Sequence, residues 1–459
     1  MKMPAFFSQF NASSDKTILV RLLKNSAYLL SGNTIGDLFT MAALALTARK
    51  LGPELFGTFV LIQTYALIMT QMLNFQSWQA LVKFGAEKLE HKKDDEFMEV
   101  VSLCFLLDVM VAILATLLAL LLVKNVASWY GWDQTTATMA SVYSLTILFS
   151  VTDTAIGILQ ISNKFKLLAL HNTLVALFKL SCVLAAFFFQ GELWVFLFIW
   201  MASGAVATLL ILGMGWKVLA ARFKPTIRLN SLKPALTNNK GIVAFLATTN
   251  LHSSIRLTSR ELDVMIIGAL LGPASAGIIK IVKQIASLFT RITNPLNDAI
   301  YPELTTLWAA KEIDKLQTLI RQSCVIAAIP SLIGWLGFIV IGKPLIIFFW
   351  GAPYAPVFPI AVIYTLAVLI ALITFSFHPL MLAMGKAGQS LLIVTVSSVA
   401  YFLLLIPLIN RIDVLGVAVA YCLFYIIWSL LMAGRLSYHL RQAQQCDQEL
   451  AVDRKKIVP

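Results

Sequence analysis

The chain has 459 residues, 59% hydrophobic and only 13% charged, with a formal net charge of +13 and a mean hydropathy of +0.82. A soluble domain carries roughly a quarter charged residues, so this chain lacks the groups that would cover a water-facing surface. Apolar stretches of helix-spanning length recur from end to end, which excludes a single water-soluble core and makes lipid the solvent.

Twelve helices are predicted, at approximately 25–48, 55–82, 98–123, 137–161, 168–190 and 193–216 in the first half, and 242–271, 274–300, 323–348, 357–384, 388–409 and 413–436 in the second. The links are mostly short, so neighbouring helices run antiparallel. The expected architecture is an all-α polytopic membrane protein with two six-helix lobes related by pseudo-two-fold symmetry. The N-terminal lobe covers 1–216, a basic cytoplasmic linker 217–241, the C-terminal lobe 242–440, and a polar tail 441–459, which reads as mobile.

Charge tests this layout. With the N-terminus in the cytoplasm, the inside segments hold 25 Lys and Arg, while the outside segments hold 4, namely Arg49, Lys50, Lys124 and Arg411. The asymmetry orients both termini to the cytoplasm. Most of the positive charge is therefore orientation signal lying against anionic membrane lipids, and it calls for no nucleic-acid partner.

An internal repeat supports the two lobes. Leu51-Gly52-Pro53-Glu54-Leu55-Phe56-Gly57 follows the first helix, and Leu271-Gly272-Pro273-Ala274-Ser275-Ala276-Gly277 follows the seventh, at an offset of 220 residues. The pattern suits a tight outer turn, in which Gly takes the unusual backbone angle and Pro opens the next helix. Six helices per half give both halves the same topology, with a path for cargo between them.

Seven basic residues fall at membrane depth: Lys179, Arg256, Arg260, Lys280, Lys283, Arg291 and Lys343. A central charge costs about 3 kcal/mol on insertion scales, so such residues usually face a wet cavity or a partner. Five of them lie on the seventh and eighth helices. Arg256 and Arg260 are four residues apart and share a face, where like charges repel unless something anionic sits between them. Lys280, Gln284, Ser287, Arg291, Asn294 and Asp298 recur at steps of three and four, a polar stripe at helical period with Lys283 beside it. These cations form the candidate wall of an anion-binding cavity, with Asn250, Gln284, Ser287 and Asn294 as its hydrogen-bonding groups. The competing reading pairs some of them with Glu261, Asp263 and Asp298. Lys343 lies near an outer end, where it can snorkel.

Asp37, with Asn33 and Thr40, and Asp153, between Thr152 and Thr154, form smaller polar faces. Either can bind a coupling proton or sodium ion; alternatively, Asp153 pairs with Lys179 on the next helix. The five cysteines show no pairing or metal-type spacing, and His171, His252 and His378 share no ligand spacing. No GxxxxGK[ST] occurs, so no cofactor is expected and any driving force would come from a proton or sodium gradient.

Two segments carry a family resemblance. Ala48-Arg49-Lys50-Leu51-Gly52-Pro53-Glu54-Leu55-Phe56-Gly57 and Asp263-Val264-Met265-Ile266-Ile267-Gly268-Ala269-Leu270-Leu271-Gly272-Pro273 resemble the polysaccharide flippases of the multidrug/oligosaccharidyl-lipid/polysaccharide exporter superfamily. The resemblance implies the MATE-type exporter fold in a bacterial inner membrane. It implies flipping of an undecaprenyl-pyrophosphate-linked oligosaccharide to the periplasmic leaflet, for O-antigen, capsule or exopolysaccharide assembly, beside other polysaccharide-assembly proteins. Arg forks binding phosphate oxygens would suit that headgroup. The rival readings are an ion-coupled multidrug exporter of the same superfamily, which would favour an acidic cavity, a membrane polysaccharide polymerase or ligase, which would need a large outer loop, and a passive scaffold.

Overall fold

The structure is a computed structural model. It describes the backbone of residues 14–189, 191–223, 227 and 232–457; within these, the side chains of 14–31, 33, 232, 233, 252–260, 291–299 and 446–457 are left undescribed.

Among the described residues the chain is helical throughout, in twelve passes. The run Ser14–Leu73 is broken at Gly52 into α1 (14–51) and α2 (53–73), and α2 resumes at Ser77–Ala80. Then come α3 (Asp94–Tyr130), α4 (Gln134–Ser144, a tighter 3-10 turn at Leu145–Ser150, then Asp153–Ile161), α5 (Phe165–Phe188) and α6 (Leu193–Ala220). The second half holds α7 (Ile242–Leu271), α8 (Pro273–Ala309), α9 (Ile313–Trp350) and α10 (Val357–Ile373 with Phe377–Ala383). The last run, Ala387–Ile457, breaks at Ile412 and Asp413 into α11 (387–411) and α12 (414–457). Eight of the continuous runs are long and apolar enough to cross a membrane, and two of these contain the breaks just named.

The repeated turn forms as its residues require. Gly52 has φ 74° and ψ 172°, and Gly272 has φ 85° and ψ 172°. Only glycine enters that region without strain. The offset of 220 holds well beyond the motif. Gly131 and Gly351, which are 220 apart, end α3 and α9 with φ values of 60° and 99°. Ala80 and Phe84 lie in the hydrophobic core of the first half, and Ile300 and Leu304, 220 residues later, lie in that of the second.

Small residues bring the helices together. On α1, Gly32 and Gly36 are four apart; a Cβ at either would stand 2.5 Å from the Ala169 Cβ or 3.1 Å from the Asn172 backbone of α5. This small-xxx-small stripe lets the two backbones approach closely, which is how helices associate in lipid. Thr173 Oγ1 of α5 also donates to Gly32 O at 3.3 Å.

Three expectations change. The second, fourth and tenth predicted helices are interrupted, at 74–76, 145–152 and 374–376. The predicted linker contains a short helix, Leu232–Asn238, whose Ala235 is fully buried in the first core. The tail expected to be mobile continues α12 as helix to Ile457. The chain forms two compact units, Met1–Ala274 and Ser275–Pro459, so α7 packs with the first unit.

Candidate functional site

The interruptions of α2 and α4 bring polar groups together in the first unit. Helix α2 stops at Leu73, and Gln76 takes a left-handed backbone (φ 49°, ψ 52°) before the helix resumes at Ser77. Helix α4 tightens, opens at Val151 and Thr152, and resumes at Asp153. Each resumption exposes fresh N–H donors, because the first turn of a helix has no intrahelical acceptors for them.

Asp108 of α3 meets both. Its Oδ1 accepts from Ser77 Oγ at the resumed start of α2, and its Oδ2 accepts from Thr154 N at 2.9 Å and Thr154 Oγ1 at 2.7 Å at the resumed start of α4. A carboxylate at the head of a helix is favoured by both the free N–H groups and the helix dipole. Asp153 lies beside it, within electrostatic range of Asp108 and hydrogen-bonded to the Asn74 side chain. The two carboxyls share a small cavity with Thr70, Asn74, Phe75 and Ser150, with room for about one water-sized sphere. Two acids, an amide and two hydroxyl side chains around so small a space can hold a proton or a small cation.

The carbonyls left over at the α2 break are satisfied by α7. Asn250 Nδ2 donates to Met72 O (3.2 Å) and Asn74 O (2.9 Å), and Thr249 Oγ1 donates to Phe75 O at 2.9 Å. The amide of Asn250, predicted as a sugar ligand, is thus engaged with the backbone of α2.

Lys179 of α5 does not pair with Asp153. Its Nζ lies over the Trp200 ring of α6, 5.2 Å from the centroid, and Trp200 meets Phe59 of α2 edge-on at 5.0 Å. Cation–π contact of this kind is worth about 0.5–2 kcal/mol. The physical reason is depth. Asp153 is 8 residues from the inner end of α4 at Ile161, and Lys179 is 14 from the inner end of α5 at Phe165. Six residues of difference correspond to about 9 Å along the membrane normal.

The other predicted groups are dispersed. Asp37 is exposed on α1. Lys280, Lys283, Gln284 and Ser287 are half-buried on α8, where Ser287 Oγ donates to Gln284 O at 2.7 Å. The side chains of Arg256, Arg260, Arg291 and Asn294 lie outside the described residues. By backbone position, Arg256 and Arg260 belong to the first unit and Lys280, Lys283 and Arg291 to the second. Sequence reasoning counted Asp108 among the deep acids but assigned it no role. Trp200 was missed altogether. The available signal for Asp108 was a run of polar residues, Asn74, Gln76 and Ser77, inside an otherwise apolar helix.

With this geometry in hand, comparison with known proteins is informative. The family model described as "Polysaccharide biosynthesis protein" matches residues 22–308, more than half of the chain. The chain belongs to this family. It is 26% identical over 338 residues to an Escherichia coli (strain K12) protein described as inner membrane protein YghQ, covering 72% of this chain and 93% of that one. Among solved structures it is similar to an inward-facing multidrug resistance MATE family transporter of the MOP superfamily, with a TM-score of 0.74 at 13% identity, covering 89% of this chain and 96% of that one. It is also similar to the lipid II flippase MurJ in an inward closed conformation, with a TM-score of 0.64 at 14% identity, covering 89% and 87%. The fold is that of the MATE-type transporters, as the repeat and helix count implied. At these identities the likeness establishes the fold and leaves the cargo open.

Proposed function

We propose that this family member is a lipid-linked oligosaccharide flippase. It moves undecaprenyl-pyrophosphate-linked sugar units from the cytoplasmic to the periplasmic leaflet of a bacterial inner membrane by alternating access, with both termini cytoplasmic. The observation that carries the reading is membership of a polysaccharide-biosynthesis family in a chain with a transporter fold. The resemblance to MurJ and the inner-membrane description of YghQ are consistent with it. The anionic headgroup is assigned to the cations Arg256, Arg260, Lys280, Lys283 and Arg291, with Lys179 contributing from the first unit. Excess positive charge at membrane depth needs an anion to offset it. A coupling proton or sodium ion is assigned to Asp153 with Asp108, which share a cavity, whereas Asp37 is exposed. No chemistry on the sugar is part of the cycle, and other polysaccharide-assembly membrane proteins would supply and consume the cargo.

The test is deletion with complementation, extracting surface polysaccharide and lipid-linked intermediates together. Loss of polymer with repeat units trapped on the cytoplasmic side supports flipping; normal polymer without trapped intermediates refutes it. Charge-removing substitutions at Arg256 and Arg260 that leave polymer unchanged at normal protein levels refute the headgroup assignment alone. Because the same fold serves multidrug transporters, drug susceptibility of the overexpressing strain tests the rival exporter reading.

A further inference from the structure

By the 220-residue repeat, α7 is the counterpart of α1 and should open the second lobe. Its contacts run the other way, and along its whole length. At the inner end, Ile242 and Leu246 are buried in the same core as Phe84, Phe97 and Leu219. In the middle, Thr249 and Asn250 satisfy the broken end of α2. Toward the outer end, Met265 O accepts from Tyr130 Oη of α3 at 2.7 Å. At Gly268 an added Cβ would stand 2.4 Å from Leu61 Cδ2 of α2. Where the helix ends, Pro273 O lies so close to α2 that a Cβ on Gly57 would stand 1.8 Å from it.

The segment leading into α7 is fastened as well. Lys88, 7% exposed, pairs with Glu96 at 2.9 Å and reaches Asn238 O at 3.4 Å, at the end of the linker helix. Asn238 Nδ2 in turn donates to Glu99 Oε2 at 3.2 Å. The linker helix is thereby held to the loop before α3 and to α3 itself.

The sequence supplies a reason for the exchange. Helix α1 docks on α5 of its own unit through Gly32 and Gly36, against Ala169 and Asn172. Adding 220 to each position gives His252 and Arg256 on α7 and Gln389 and Leu392 on α11. The small residues that permit close approach in the first lobe are replaced by large ones in the second. Close backbone packing of the α1–α5 kind requires small residues at the contact. Gln389 is moreover engaged with His439, its Oε1 lying 2.8 Å from the ring Nε2.

We propose that α7 is a structural member of the N-terminal unit and is carried with it through the transport cycle. The joint of the chain is then the Gly272–Pro273 turn, not the basic linker. Membership of α7 is independent of what is carried, while its movement rests on the alternating-access reading above. Hydrogen exchange of the full-length protein in lipid nanodiscs, followed by mass spectrometry, tests membership without any transport assay. Leu61→Ala loosens the first unit and Met381→Ala the second, since Leu61 and Met381 are fully buried, one in each. Leu61→Ala is expected to speed exchange of peptides from α2, α7 and the linker helix together, on the order of tenfold for a buried Leu truncation. Met381→Ala is expected to speed α10–α12 and leave α7 and the linker unchanged. Exchange in α7 that follows Met381→Ala, or that stays put while α2 accelerates, overturns the membership. A linker helix with unprotected amides overturns the placement of the joint. If either Ala variant is not recovered folded, Leu61→Val and Met381→Leu give the same comparison at smaller amplitude.

Discussion

Gly57 lies in the first copy of the repeated turn, and its substitution by Ala is the most direct perturbation of the packing. The new Cβ would stand 1.8 Å from Pro273 O and 2.1 Å from the Pro273 carbonyl carbon, whereas real Cβ atoms stay beyond about 3.0 Å. Both obstacles are backbone, so no rotamer change relieves them, and the segments must separate by the difference, about 1.2 Å. Over-packing of a close-packed interior costs about 1–3 kcal/mol, and a clash with backbone belongs at the upper end. Gly213→Ala is the control. It lies inside α6 with no neighbour within 4 Å of an added Cβ, so removing the flexibility of glycine from a helix interior stabilises by about 0.5–1 kcal/mol. At about 2–4 °C per kcal/mol for units of 150–250 residues, Gly57→Ala should melt on the order of 5 °C lower and Gly213→Ala slightly higher than the wild type. Fluorescence-detected size-exclusion chromatography of heated, detergent-solubilised protein reads both. A Gly57→Ala variant that melts within about 1 °C of wild type would show that the turn is not packed as described.

Other outcomes follow from the same structure. Asp413, at φ 49° and ψ −139° between α11 and α12, occupies a region suited to glycine, so Asp413→Gly should raise thermal stability by about 1–3 kcal/mol; an unchanged or lower melting temperature would contradict the strain. Asp108→Asn keeps one acceptor oxygen where two are used and should destabilise by about 1–3 kcal/mol, while Asp153→Asn should melt near wild type but lose any dependence of polymer restoration on proton or sodium gradient. Retained gradient dependence in Asp153→Asn would remove it from the coupling assignment. Trp200→Leu strips the ammonium of Lys179 of its aromatic face and should cost about 0.5–2 kcal/mol, recovered in the double variant with Lys179→Met; equal losses in single and double variants would refute the pairing. In the first turn of α3, outside the membrane, hydrogen bonds from Lys93 and Lys88 hold the Glu96 carboxyl below its ordinary range. A depressed carboxylate contributes stability above its unfolded value and loses it as the pH falls through the folded one. Melting temperature should therefore drop on acidification below about pH 4.5, and that drop should be smaller in Glu96→Gln.

Much of the frame is legible in the residues because it rests on local signals. Hydropathy marks the passes, and the paired Leu-Gly-Pro segments mark the turns where Gly52 and Gly272 adopt matching backbone angles. The broken helices are harder to see. Asn74-Phe75-Gln76 contains neither Gly nor Pro, and the break persists because Asp108, Thr249 and Asn250, all distant in sequence, satisfy the groups it frees. Tertiary partners override local propensity there. The tail was misread for the opposite reason. Arg441 to Ile457 is polar, which suggests mobility, yet its residues are good helix formers continuing a helix already nucleated in α12. The Lys179–Asp153 pairing was avoidable, since counting residues from the inner ends of α4 and α5 already separates them in depth.

The repeat also shows where the two halves part company chemically. Adding 220 to Asp108, Asp153, Lys179 and Trp200 gives Ala328, Ile373, Val399 and Ala420. The second unit thus repeats the frame of the first, down to the glycines that end α3 and α9, without its carboxyl pair or its lysine on an indole. Symmetry alone would require none of these residues, because the second unit reaches the same fold with apolar ones. A charge kept at membrane depth costs free energy, and the second unit shows that this cost is not imposed by the architecture. The polar layer of the first unit therefore calls for a functional explanation more strongly than its hydrogen bonds alone would suggest. It also has no duplicate at the repeat-equivalent positions, so a single substitution at Asp153 should suffice to remove whatever that layer does.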